Sequence, residues 1–270
     1  MSGRSSTRTE RSALVTLVVA MAACSRHSPA AAPPEPVKVA AAADLSFAFK
    51  DVGDAFEKAT RRKVVFSFGS TGLLEKQIAE GAPFDVFAAA NVSYADDAAK
   101  TGACDAQSEA LYATGRIVMF TIDGAPLAPR AVSELGDARI SKIAIANPDH
   151  APYGKAAKQA MEHAGVWDAV HAKVVYGENV QQALQFAQSG NADVAIVALS
   201  LATVTPGHAT EIPMDQYDRI DQALIVCHNG KAGADAGRGF VDFVKSAEGH
   251  AIMKRFGFLL PGESLAKAGP

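Results

Sequence analysis

Most features that would commit a chain to a common chemistry are missing from this sequence. It holds three cysteines in 270 residues and a formal net charge of −3. No basic stripe interrupts that balance, which removes the electrostatic case for a nucleic-acid partner. There is no G-x-S-x-G elbow, no Walker A loop and no G-x-G-x-x-G at a strand-to-helix turn. The seven histidines are scattered, without the H-x-x-x-H or Cys/His spacing that a metal requires. Acidic residues are plentiful, yet no spacing singles out an acid/base pair. The glycine-rich run GKAGADAGRG at 230–239 fits no phosphate fingerprint and reads as a flexible loop.

What is present begins with an export signal. Arg4, Arg8 and Arg11 precede ALVTLVVAMAA, an apolar run too short to span a bilayer. It ends in Met21-Ala22-Ala23-Cys24, which resembles a bacterial lipobox with Met where Leu is usual. Cleavage before Cys24 and acylation of that residue are expected. An uncleaved anchor or an ordinary secretory signal is the alternative, and both also imply export. Loss of residues 1–23 removes three Arg and one Glu, which moves the net charge from −3 to −5. Residues 24–36 are Pro- and Ala-rich with nothing to bury and read as a disordered tether. Cys104 and Cys227 are expected as buried small hydrophobes, with a disulfide as the alternative in an oxidising compartment.

From Val37 onward, strand and helix signals alternate. VKVAAAA, KVVFSF and FDVFAAA read as buried strands. DLSFAFKDVGDAFEKA carries Leu45, Phe49, Val52, Phe56 and Ala59 at helical spacing. TGLLEKQIAEG reads as a helix closed by Gly81. RIVMFTI, KIAIA, KVVYG, DVAIVAL and DQALIVC continue the strands, and GFVDFVKSAEGHAIMKRFGF supplies a final helix. Repeated βα units predict an α/β protein with mostly parallel sheets flanked by helices. Their number suits two lobes: 37–117 plus 218–262 as the first, 118–217 as the second, and 263–270 as a tail.

Four of the strand-to-helix turns carry small or hydroxylic residues. They are Asp44-Leu45-Ser46, Gly69-Ser70-Thr71-Gly72, Pro152-Tyr153-Gly154 and Glu178-Asn179-Val180. A helix start exposes amides without intrahelical partners, and its dipole favours negative charge. Converging starts could hold an oxyanion without Lys or Arg. Taken singly, each turn reads as an ordinary N-cap, with Ser70-Thr71 between two glycines as the strongest exception.

The segments AAAADLSFAF, SFGSTGLLEKQIAEGAPFDVFAAA, IANPDHAPYGKAAKQAM, GENVQQAL and ADVAIVALS together resemble the periplasmic molybdate-binding proteins of bacterial ABC importers. The resemblance runs from Val37 to about Pro261. It implies a two-lobed type II periplasmic binding protein that closes on one tetrahedral dianion through amides and hydroxyls. By position it places ligand contacts at Asp44, Thr71, Tyr153, Val180 and Ala198, with Ser46, Ser70 and Ser200 close by. Two positions depart from the family: Asp44 stands for Ser, and Ala198 for Tyr. Three accounts of Asp44 stay open. It N-caps its own helix, it accepts a proton-bearing ligand oxygen such as that of hydrogen phosphate, or the ligand is not an oxyanion.

The resemblance therefore implies a periplasmic, lipid-anchored monomer that captures molybdate or tungstate for an ABC permease. No cofactor is implied, and the metal enters only as oxyanion, without direct protein ligands. A receptor for another small anion is the nearest rival. An enzyme on the same scaffold is the rival of a different class.

Overall fold

The alternating signals resolve into two five-stranded sheets in a computed structural model, which describes residues 34–264 together with Gly3. The expected signal segment, Cys24, the tether through residue 33 and the tail from residue 265 lie outside the described residues. No helix among the described residues is long and apolar enough to cross a membrane.

The strands are β1 (Val37–Ala42), β2 (Val64–Gly69), β3 (Val86–Ala89), β4 (Ala110–Gly115), β5 (Ile117–Thr121), β6 (Ile143–Ala146), β7 (Val174–Gly177), β8 (Val194–Ala198), β9 (His208–Glu211) and β10 (Ile220–Val226). The helices are α1 (Ala48–Thr60), α2 (Thr71–Ala79), α3 (Val92–Lys100), α4 (Pro152–His163), α5 (Trp167–Val170), α6 (Val180–Gln188), α7 (Leu199–Ala202), α8 (Ala234–Val244) and α9 (Ala247–Arg255). One sheet has the order β2-β1-β3-β10-β4 and the other β7-β6-β8-β5-β9. The chain leaves the first through Arg116, between β4 and β5, and returns in β10.

Each sheet is evenly mixed rather than mostly parallel. β1 pairs in parallel with β2 and β3, and β6 with β7 and β8. β10 runs antiparallel to β3 and β4, and β5 to β8 and β9. The reason is geometric. A chain arriving from the other sheet enters where the parallel strands end, so it must run against them. Ile220 accordingly lies opposite Gly115, and Ile117 opposite Ala198.

The apolar stripe of α1 buries Phe49, Val52 and Phe56 against an aromatic cluster. Phe49 meets Phe66, Tyr112 and Phe240 at 5.7, 6.0 and 5.9 Å between ring centroids. The helix begins later than its pattern suggests. Ala43–Leu45 forms a separate 3-10 turn, so Leu45 is buried ahead of α1 while Ala59 is exposed. The last helical pattern divides at Ser246, whose Oγ caps α9 by accepting from the Gly249 amide at 3.2 Å. The glycine-rich run is only partly a loop, because α8 starts within it at Ala234. A Cβ at Gly237 would lie 3.0 Å from Val226 Cγ1 and 3.1 Å from the Asp85 carbonyl. That glycine serves close packing of helix on sheet.

Cys104 and Cys227 form a disulfide, against the expectation of two free thiols. They face each other as an antiparallel pair, flanked by Asp105 N–H to Val226 O at 2.8 Å and His228 N–H to Ala103 O at 2.9 Å. This is a pair not hydrogen-bonded to itself, the arrangement that brings side chains closest.

Candidate functional site

Five parallel strands direct their C-terminal ends at one small space, the usual position for a ligand in such sheets. Ala42, Ala43 and Asp44 line it from the turn after β1, and Gly69, Ser70 and Thr71 from the β2–α2 junction. Ala90 follows β3, Ala151, Pro152 and Tyr153 open α4, and Asn179 and Val180 open α6. The cavity they enclose is small, about 10 Å³. A cavity needs roughly 10–15 Å³ to admit one water, so this closed space suits only a small, compact ion.

The four turns singled out in the sequence thus meet at one point. Pro152 occupies the first position of α4, where its missing N–H would have had no helical partner. Asn179 caps α6 by accepting from the Gln181 and Gln182 amides, both at 3.0 Å. Thr71 Oγ1 accepts from the Ala90 amide at 3.3 Å. Among the described residues, the amides of Thr71, Tyr153 and Val180 have no protein acceptor. Three unpaired donors at the positive ends of three helices make an anion-binding surface. Asp44 is the one acidic or basic residue lining it.

The two lobes meet across this space. The Gly72 amide donates to the His150 carbonyl at 3.0 Å. Ser70 Oγ donates to the same carbonyl at 2.7 Å and also meets His150 Nδ1 at 2.7 Å. With that hydroxyl proton given to the carbonyl, His150 Nδ1 is the donor in the second contact. His150 is partly buried in this closure.

Asp44 does not cap its own helix. Ala42 is the cap residue of the turn, and the carboxyl points inward at 1% exposure. Its Oδ2 accepts from Tyr153 Oη at 2.9 Å and from Gln222 Nε2 at 2.7 Å. Gln222 Nε2 also donates to Tyr153 Oη at 3.0 Å, and its Oε1 accepts from Tyr112 Oη at 2.6 Å. Asp44 Oδ1 is buried without a partner among the described residues. A helix-capping carboxyl would have turned outward; the inward network wins because Tyr153 and Gln222 supply donors in a dry setting.

Burial raises the Asp44 carboxyl from 3.8 to about 6, while the Gln222 and Tyr153 hydrogen bonds pull against the rise. Burial, followed by the Asp44 charge, holds the Tyr153 and Tyr112 hydroxyls well above their ordinary range. The folded chain therefore binds the Asp44 proton more tightly than the unfolded chain does. That stabilisation is complete below about 3.8 and is lost as pH climbs through about 6. Asp44→Asn is expected to stabilise the anion-free protein by about 3 kcal/mol at pH 8 and to change it little at pH 4. Urea midpoints at the two pH values check this.

Gly115 makes room for the network. A Cβ there would overlap Tyr153 Oη and sit 2.8 Å from its Cζ and 3.1 Å from Gln222 Nε2. Gly115→Ala is expected to hinder closure and weaken ligand binding about tenfold, the scale of an overpacked contact. Titration of the variant checks it.

Of the residues expected at the site, Asp44, Ser70, Thr71, Tyr153 and Val180 come together around the space. Ser46, Ala198 and Ser200 do not line it. Ser46 is buried, and its Oγ lacks a partner among the described residues. Ala198 ends β8 and caps α7. Ser200 Oγ donates to the Asp44 carbonyl at 2.8 Å, which fixes the turn from behind. Gln222 and Tyr112 went unnoticed in the sequence. A glutamine inside the apolar strand DQALIVC was the available signal, since a buried amide needs partners.

Comparison with known proteins identifies the family and the fold. Residues 37–259 match the bacterial extracellular solute-binding protein family. The molybdate-binding protein ModA of Azotobacter vinelandii is 35% identical over 230 residues, covering 82% of this chain and 89% of that protein. ModA of Rhodobacter capsulatus is 33% identical, covering 83% and 88%. The solved structure of the Azotobacter vinelandii periplasmic molybdate-binding protein superposes with a TM-score of 0.77 at 31% identity, covering 83% of this chain and 99% of that one. The chain belongs to the bacterial extracellular solute-binding proteins, with ModA among its relatives.

Proposed function

We propose that this protein captures molybdate, or tungstate, outside the cytoplasmic membrane and delivers it to an ABC permease. The observation that carries the reading is the set of unpaired amides of Thr71, Tyr153 and Val180 converging on one small cavity. Fixed N–H dipoles in a closed, dry cleft hold an oxyanion without moving to do so. The names of the relatives support molybdate as that anion. No bond is made or broken in this reading, and no cofactor takes part. The protein acts as a monomer on a lipid anchor at Cys24, in the periplasm, and the lipobox-like segment supports that placement. Labelling with a lipid precursor should tag the wild type and leave Cys24→Ser unlabelled.

Calorimetric titration with molybdate, tungstate, sulfate and phosphate tests the ligand. Binding of the first two at micromolar concentration or below is expected, and no heat with either overturns the reading. One observation favours a second ligand. The unpartnered Asp44 Oδ1 could accept from a protonated oxygen, as hydrogen phosphate presents. Phosphate binding tighter than molybdate in the same titration would select it.

A further inference from the structure

The geometry points to Asp44 as a proton-carrying donor: capture of a fully ionised tetrahedral dianion loads one proton onto its carboxyl, and Oδ1–H then hydrogen-bonds the anion. The inference rests on the molybdate reading and concerns how one site accepts a dianion next to an acid. Asp44 lines the space, is 1% exposed, and has an Oδ1 without a partner among the described residues. Oδ2 is occupied by donors from both lobes, Tyr153 and Gln222. A proton on the carboxyl therefore belongs on Oδ1, where it converts a repelling oxygen into a donor.

Among the described residues, no Lys or Arg lines the space to offset a carboxylate there. Tyr153 of α4 and Tyr112 of β4 are the titratable groups facing it, with Gln222 of β10 between them. Asp221 is engaged instead by Thr114 and Arg219. The turn also packs on α6, α7 and β2, which contain no titratable side chain. Burial already favours the neutral carboxyl, and a dianion alongside favours it further, because like charge opposes ionisation. The proton comes from the buffer as the cleft closes, and it returns on release.

Molybdate is titrated into the full-length protein at pH 7 and pH 8, in buffers of differing ionisation enthalpy. Molybdate itself exchanges no proton in that range. Uptake approaching one proton per anion is expected, with affinity falling about tenfold per pH unit. In Asp44→Asn the amide oxygen can still accept from Tyr153 and Gln222, and its NH₂ replaces Oδ1–H. That variant should bind without uptake, independently of pH, and about tenfold or more tightly than wild type at pH 8. Molybdate binding by the wild type without proton uptake overturns the inference alone. So does an uptake that persists in the variant, which would place the proton on another group. Absence of molybdate binding in the wild type overturns the function beneath it, and the inference with it.

Discussion

Val180→Pro is expected to weaken molybdate binding by about ten- to a hundredfold while leaving the fold nearly as stable as before. The expectation follows from where the residue sits. Val180 is the first residue of α6, and proline is well tolerated there because its fixed φ suits a helix start. The helix loses no internal bond, since its first amides never have one. Asn179 precedes it at φ −143 and ψ 174, the extended backbone that a residue before proline prefers. The N–H lining the ligand space is removed, and the buried Val180 side chain is exchanged for a ring of similar size. A hydrogen bond to a charged group contributes about 1.5–3 kcal/mol, which sets the size of the loss. Thermal melting measures the fold and calorimetry the affinity. Unchanged affinity would strike the Val180 amide from the set of donors.

Replacing Cys104 and Cys227 together with Ala is expected to cost about 4 kcal/mol of stability. The two are separated by 123 residues in sequence, so the bond closes a long loop and restricts the unfolded chain strongly. It also joins the end of β10, the strand that returns from the other sheet, to the segment after α3. Urea unfolding of the double variant measures the loss, and a change under about 1 kcal/mol would show that the bond constrains little.

The sequence made some of this visible and hid the rest for identifiable reasons. β3, β6 and β8 are continuous apolar runs, and β1 is broken only by Lys38, because helices or turns cover both faces; such runs can be read directly. β4 passed unread because ALYATG ends in Thr-Gly and gains its strand character from pairing with β10. β9 passed unread because HATE is a polar, mostly exposed edge. Turns with Ser, Thr, Asn and Pro are local signals, so four helix starts could be named; their meeting at one space is a property of the sheets. The disulfide and the Asp44 network link residues 123, 109 and 178 positions apart, and no local pattern encodes such pairings. A cap is one of the three accounts the sequence leaves open for Asp44, because capping is what an aspartate at a helix start does with solvent nearby. Burial against Tyr153 and Gln222 gives it a different partner.

The central claim is that the oxyanion sits among the amides at the starts of α2, α4 and α6. Crystals grown with molybdate, measured for the anomalous signal of molybdenum, test it most directly. One strong peak within hydrogen-bonding reach of the Thr71, Tyr153 and Val180 amides, with Asp44 beside it, is predicted. A peak elsewhere, or none in crystals grown at saturating molybdate, would contradict the account.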